Sequence, residues 1–192
     1  MAKTYLISTT YFKENSVVNL NVEDQLINMS IIDAQEIHIQ NTLGTKLYKK
    51  IISMVKDGSI TNGSVYQTLL DDYIVDALVK WTLVETLPYI HSKIMNKSVS
   101  TQTSDNSTPL SIEDLKYHIE QHRNKAEYKT QRMADYLCAN STLYPEYTQA
   151  TTIDDIVPQH NAYFSGVVMD EYEDERRYRR VMGINNNKTL NW

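Results

Sequence analysis

The sequence predicts an all-α protein: a helical bundle of about four main helices with a projecting loop and an extended C-terminal arm. Three observations carry this prediction. Apolar residues recur at helical spacing over long stretches, most clearly Val65, Leu69, Tyr73, Ala77, Trp81, Val84 and Leu87. Helix stops and starts fall between those stretches, the sharpest at Leu43-Gly44-Thr45. Strand-type alternation of apolar and polar residues is scarce, which argues against a sheet as the organising layer.

Thr4 to Phe12 is rich in Tyr, Thr and Ile and has weak strand character. Asn19 or Asn21 is placed to cap a first short helix starting near Val22. A helix pair follows. Ile31, Ile32, Ala34, Ile37, Ile39 and Leu43 mark the first member, and Leu47, Ile51, Met54 and Val55 the second. Gly44 sits where a helix C-terminus favours a residue without a Cβ. Thr45 is the expected N-cap of the next helix. Asp57-Gly58 ends that helix, and Ser59 to Ser64 is a polar turn containing Gly63.

Val65 opens the longest apolar stripe, widened by Leu70, Ile74 and Leu78 and flanked by Asp71, Asp72, Asp76 and Lys80. So broad a buried face suits a helix at the centre of a bundle. Pro88 lacks a backbone donor and is expected to kink or break it, with Leu87 to Met95 as a kinked extension. Residues 96–110 carry too little apolar area to order themselves, so this projecting loop is either disordered or a hairpin turning at Asp105-Asn106. Ser111-Ile112-Glu113-Asp114 resembles a capping box with Asp in place of the usual Glu or Gln. Ile112, Ile119, Ala126 and Met133 then repeat every seven residues, with Leu115, His122 and Leu137 on the same face, to about Cys138 or Ala139.

After Asn140 the apolar residues thin out. The expected organisation is a helical domain over 1–147 and an arm over 148–192. Within the arm, Met169 to Met182 reads as a short helix with acids first and bases last, an order that suits the helix dipole. The arm has aromatic residues but too few aliphatic ones to form a core of its own. Its expected role is docking on a neighbour, with Tyr163, Phe164, Tyr172 and Tyr178 as anchors and Arg176, Arg177, Arg179 and Arg180 as charged partners.

Composition narrows the function classes. A net charge of −5 over 192 residues argues against a protein whose main task is coating DNA. The single cysteine, Cys138, excludes an internal disulfide and is expected to pack as a small hydrophobe. The opening residues contain no long apolar run, so no signal peptide is evident. Charges interrupt the most apolar stretch, so no membrane span is expected. Tyrosine outnumbers phenylalanine 14 to 2. Either the chain uses amphipathic rings at partner surfaces, or the codon bias of an AT-rich genome supplies them.

Candidate chemical constellations are weak. His118 and His122 are four apart on a helix, but Ile119 stands where a zinc-protease pattern needs Glu. Asp72 and Asp76 share a helix face that reads more simply as solvated. There is no glycine-rich phosphate loop, no G-x-S-x-G and no CxxC. Arg176-Arg177-Tyr178-Arg179-Arg180 could grip phosphate, although the acidic run before it would repel the same backbone. No enzyme activity, cofactor or metal is expected.

Four segments occur in a telling order. They are A-Q-E-I-H-I-Q-N-T-L-G-T-K-L-Y-K-K-I (Ala34 to Ile51), V-K-W-T-L-V-E-T-L-P (Val79 to Pro88), the Ser/Thr-rich loop, and K-A-E-Y-K-T-Q-R-M-A-D-Y-L (Lys125 to Leu137). Together they resemble the head-to-tail connector, or adaptor, proteins of tailed bacteriophages, most closely those of crAss-like phages. The resemblance covers about residues 5–147. It implies a structural virion protein, assembled in the host bacterial cytoplasm as a ring, commonly dodecameric, between portal and tail. The implied partners are further copies of the chain, the portal protein, the next tail or ring protein, and DNA passing through the lumen without sequence-specific binding. It also implies a protein with no catalytic site. The alternatives are a nucleic-acid-binding helical regulator using Arg176 to Arg180, or a small helical enzyme using Asp72, Asp76 or His118 with His122.

Overall fold

The computed structural model describes residues 3–18, 20–95, 98–101, 111–148 and 155–158. The chain divides into two units, Met1–His160 and Asn161–Trp192, and every described residue belongs to the first. The fold is an all-α bundle with one small hairpin.

Strand character at Thr4 to Phe12 does not become a strand. Helix α1 spans Thr9–Glu14, because Ser8 caps it by accepting from the Tyr11 N–H at 3.1 Å. Phe12 is then turned fully into the core. Helix α2 (Asp24–Ala34) starts with Glu23 at the N-cap position and no side-chain cap, rather than from Asn19 or Asn21. It runs on through a π-turn (Gln35–Ile39) into α3 (Gln40–Leu43) as one rod.

The π-turn inserts one residue and rotates the stripe. Gln35 is carried inward. Its Oε1 accepts from the Leu6 N–H at 2.8 Å, and its Nε2 donates to the Thr4 carbonyl. One side-chain amide thereby satisfies backbone groups that a partner strand would otherwise have to satisfy. The same rotation turns Ile37, expected in the core, 51% out to solvent.

Helix α4 (Thr45–Asp57) buries Leu47 and Ile51 and ends at Gly58 in the left-handed conformation. Helix α5 (Val65–Leu69) passes through a second π-turn (Leu70–Ile74) into α6 (Val75–His91), so the expected long helix is continuous but carries an insertion. Val65, at its first turn, is exposed. Helix α6 packs against both α2 and α7 and is buried nearly all round, from Val75 and Leu78 to Trp81, Leu83 and Val84. Pro88 does not break it. The helix continues to His91, where the Ser92 N–H and hydroxyl both bond the Pro88 carbonyl.

Residues 92–95 leave the helix rather than extend it. Strand β1 (Ser92–Met95) pairs antiparallel with β2 (Ser98–Thr101), in a register from Ser92↔Thr101 to Met95↔Ser98. Within the expected loop 96–110, residues 98–101 are therefore a paired strand. Asp105-Asn106, its expected turn, lies outside the described residues.

Helix α7 (Ile112–Ala139) starts where the capping pattern places it. Ser111 Oγ accepts from the Asp114 N–H at 3.1 Å and donates to the Asp114 carboxylate at 2.6 Å. The heptad face is buried at Ala126, Met133 and Leu137, half-buried at Ile119, and exposed at Ile112. A 3-10 turn (Ser141–Leu143) and the short helix α8 (Pro145–Thr148) bring the chain back to α4.

Candidate functional site

The Leu43-Gly44-Thr45 corner is where separate parts of the fold meet. Gly44 has φ 76° and ψ 158°, a region open in practice only to glycine, and it serves as both the last cap of α3 and the first of α4. Thr45 is not the N-cap expected from sequence. It is the first residue of α4, and its polar groups face the strap formed by residues 155–158. The Thr45 N–H donates to the Ile156 carbonyl at 3.1 Å, and the Ile156 N–H donates to Thr45 Oγ1 at 2.9 Å. Pro158 lies so close that a Cβ on Gly44 would stand 2.8 Å from its Cδ. The strap falls within the stretch read from sequence as an arm, yet it is packed on the bundle.

Next to the corner, α8 is held by a seam of tyrosines. Tyr144 is fully buried; its hydroxyl donates to the Val65 carbonyl at 2.8 Å and lies 3.1 Å from the Tyr136 hydroxyl. Tyr136 stacks on Tyr73 with ring centroids 4.1 Å apart, and Arg132 covers the other ring of that stack. Tyr66 meets Tyr144 edge-on. Burial pushes the Tyr144 and Tyr147 phenols well above their ordinary range. At least these five tyrosines are spent inside the bundle: the Tyr66, Tyr136 and Tyr144 hydroxyls reach hydrogen-bond partners, and Tyr73 is held by its stacked ring.

Lys50 and Glu146 close the seam in an ion pair, and the Tyr66 hydroxyl donates to Glu146 at 3.0 Å. Burial opposes the Glu146 charge, but Lys50 and Tyr66 prevail and hold its carboxyl below the ordinary 4.5. A depressed folded pKa contributes stability that is present above the unfolded value and lost as pH falls through the folded one. Glu146→Gln is expected to cost about 1–2 kcal/mol at neutral pH, discounted for partial exposure. In urea titrations the gap between wild type and variant should narrow as the pH falls below 4.5. A gap independent of pH would mean the pair is not the source of the stability.

His38, presented by the first π-turn, ties the α2 rod to α6. Its ring stacks on Trp81 at 3.5 Å between centroids and 6° between planes, and its Nε2 lies 2.9 Å from Glu85 Oε1. Trp81 Nε1 donates to Thr130 Oγ1 at 2.8 Å, so one indole joins α2, α6 and α7.

The sequence-derived candidates fare differently. Asp71 and Asp72 are exposed, and Asp76 pairs with Lys129 at 2.6 Å. His118 is exposed beside Tyr117, and His122 is half-buried. Among the described residues no three of His, Cys, Asp or Glu gather as a metal site. Cys138 is exposed rather than packed as a small hydrophobe. Among those residues, too, no helix is long and apolar enough to cross a membrane. Tyr163, Phe164, Tyr172, Arg176, Arg177, Tyr178, Arg179 and Arg180 lie outside the described residues.

Residues 39–156 match the family model described as "Family of unknown function (DUF6712)". The chain belongs to this family. No curated protein and no solved structure matches it. The DUF6712 region has a physical logic at its two ends. It opens at Ile39, in the π-turn leading to the corner, and closes at Ile156, the residue bonded to Thr45. Helix α1 and most of the α2 rod precede it, yet they supply Phe12, Ile27 and Ile31 to the same core. Gln35, His38, Lys50, Glu85, Glu146 and the buried tyrosines had no motif to flag them. Each is defined by a partner far along the chain.

Proposed function

We propose that this DUF6712 protein is a ring-forming structural component of a tailed-phage virion, seated between portal and tail and extending the DNA channel. The observation that carries this reading is the ordered set of motifs around L-G-T-K-L-Y and A-E-Y-K-T-Q-R-M, which resembles head-to-tail connector proteins and falls inside the family-matched region. The fold is compatible with it: a bundle whose long elements are tied by side-chain pairs suits a subunit that must hold its shape in a ring. Tyr5 and Met29, each more than 40% exposed, line an open groove beside α2, a surface suited to a neighbouring copy. In this reading residues 161–192 dock on adjacent subunits or on the next ring. Tyr163, Phe164, Tyr172 and Tyr178 are the anchors, and Arg176, Arg177, Arg179 and Arg180 the charged partners.

The test is native mass spectrometry of the full chain, alone and with portal protein. Rings of about twelve copies of the 22.3 kDa chain, or assembly only on portal, are expected. A monomer that ignores portal under both conditions would overturn the reading. Truncation after His160 leaves the first unit whole and should melt as cooperatively as the full chain, with ring formation lost. Rings from the truncated chain would remove residues 161–192 from the interface.

A further inference from the structure

The groove between α6 and α7 gathers cationic side chains from two helices. Lys80 from α6 and Gln121, Asn124, Lys125, Tyr128 and Lys129 from α7 line an open space of about 350 Å³. Lys129 is held by Asp76 at 2.6 Å. Among the described residues neither Lys80 nor Lys125 has a carboxylate partner. Their charges are felt next door: burial first, then Lys125, Lys80 and His118, depress the His122 imidazole. The ring of Tyr128 stands 69% exposed on the rim.

We infer that this groove holds the phosphodiester backbone of nucleic acid through Lys80 and Lys125, with Tyr128 lying against a sugar or base. Charge complementarity argues for an anion, and two facing helices offer unpaired ammonium groups to the same space. The lining argues against a protein segment. Three of its six residues are lysines, a type depleted at protein interfaces, and its apolar surface is lysine stem and tyrosine ring rather than an aliphatic anchor. The Gln121 and Asn124 amides add neutral donors for phosphate oxygens. Lysines act as point charges without the fork geometry of arginine, so the contact should be indifferent to sequence. Two free lysines, with Lys129 in reserve, release few counterions, so binding should be weak and labile to salt. A protein of net charge −5 would thus touch a duplex locally without coating it. The inference concerns a face of the single bundle and stands apart from ring assembly.

The experiment is fluorescence anisotropy of a short labelled DNA duplex titrated with the full chain, from roughly 50 to 200 mM salt. Wild type should bind at low salt, with a log–log salt slope of about −2 to −3. K80Q/K125Q should weaken binding about tenfold or more and flatten the slope by about 2, while K80R/K125R should bind like wild type. Both variants change groove-lining positions outside the core, and their melts should match wild type. A variant changing Arg176, Arg177, Arg179 and Arg180 to Gln should keep the difference made by the lysines. Absence of duplex binding at low salt, loss confined to the arginine variant, or failure of K80R/K125R to bind would each overturn the inference. So would binding of polyglutamate in preference to duplex, which would mark the groove as a site for an acidic peptide.

Discussion

Trp81→Ala is expected to be the most damaging single substitution in the bundle, costing about 3–5 kcal/mol. The indole is only 7% exposed and contacts three elements at once. Its face carries the stacked ring of His38, and its Nε1 reaches Thr130 on α7. Truncation would remove the buried ring area and leave a cavity between α2, α6 and α7. It would also leave Thr130 Oγ1 without its donor and His38 without the surface that orients it toward Glu85. Cavities in close-packed interiors collapse only in part, so the transfer loss and the void penalty add. Thermal melts measure the total, which for a domain of this size corresponds to roughly ten degrees in Tm. Trp81→Phe separates the two contributions, since it keeps most of the stacked area and loses the Thr130 bond. It should cost about 1–2 kcal/mol. A neutral melt for Trp81→Ala would mean that this helix face does not carry the core.

Gly44→Ala should come second, although it adds a single methyl group. The backbone at φ 76°, ψ 158° costs a residue with a Cβ roughly 1–3 kcal/mol, because that region is sterically closed to it. The added methyl would also stand 2.8 Å from Pro158 Cδ and 3.1 Å from the Ile156 carbonyl oxygen. One relief is to push the strap off the corner, which breaks both Thr45–Ile156 hydrogen bonds. The other is to deform the α3–α4 junction. Either route should lower stability by about 2–4 kcal/mol in total. The routes differ in a second readout. Displacement of the strap should speed proteolytic cleavage near residues 155–158, whereas deformation of the junction should not. Unchanged stability together with unchanged cleavage would rule out the described corner geometry.

Both predictions depend on residues whose importance was legible in the sequence to different degrees. Trp81 was readable as a core anchor because it lies on a long helical stripe. Gly44 was readable as a helix stop, but its contact with Pro158 was not. The helix limits set by Gly44, Gly58, Ser111 and Ala139 were legible because caps and left-handed stops act within one or two turns, a range that the local sequence contains. The proposed anchors of the arm, Tyr163 to Arg180, were also chosen from sequence, and they await the truncation experiment.

What the sequence by itself determined is the all-α class, the central helix with Trp81, the corner at Gly44 and the capped start of α7. Each depends on propensity, periodicity or a hydrogen bond spanning three or four residues. Only the tertiary structure decided the rest. The π-turn at Gln35–Ile39 serves an amide that reaches Leu6, 29 residues back, and it turns Ile37 outward against its pattern. Thr45 meets Ile156 across 111 residues, and Tyr144 bonds Val65 across 79. A polar group taken from water must find a partner wherever the packed chain offers one. Many residues along a sequence could supply that partner, and only the packing of the bundle selects among them.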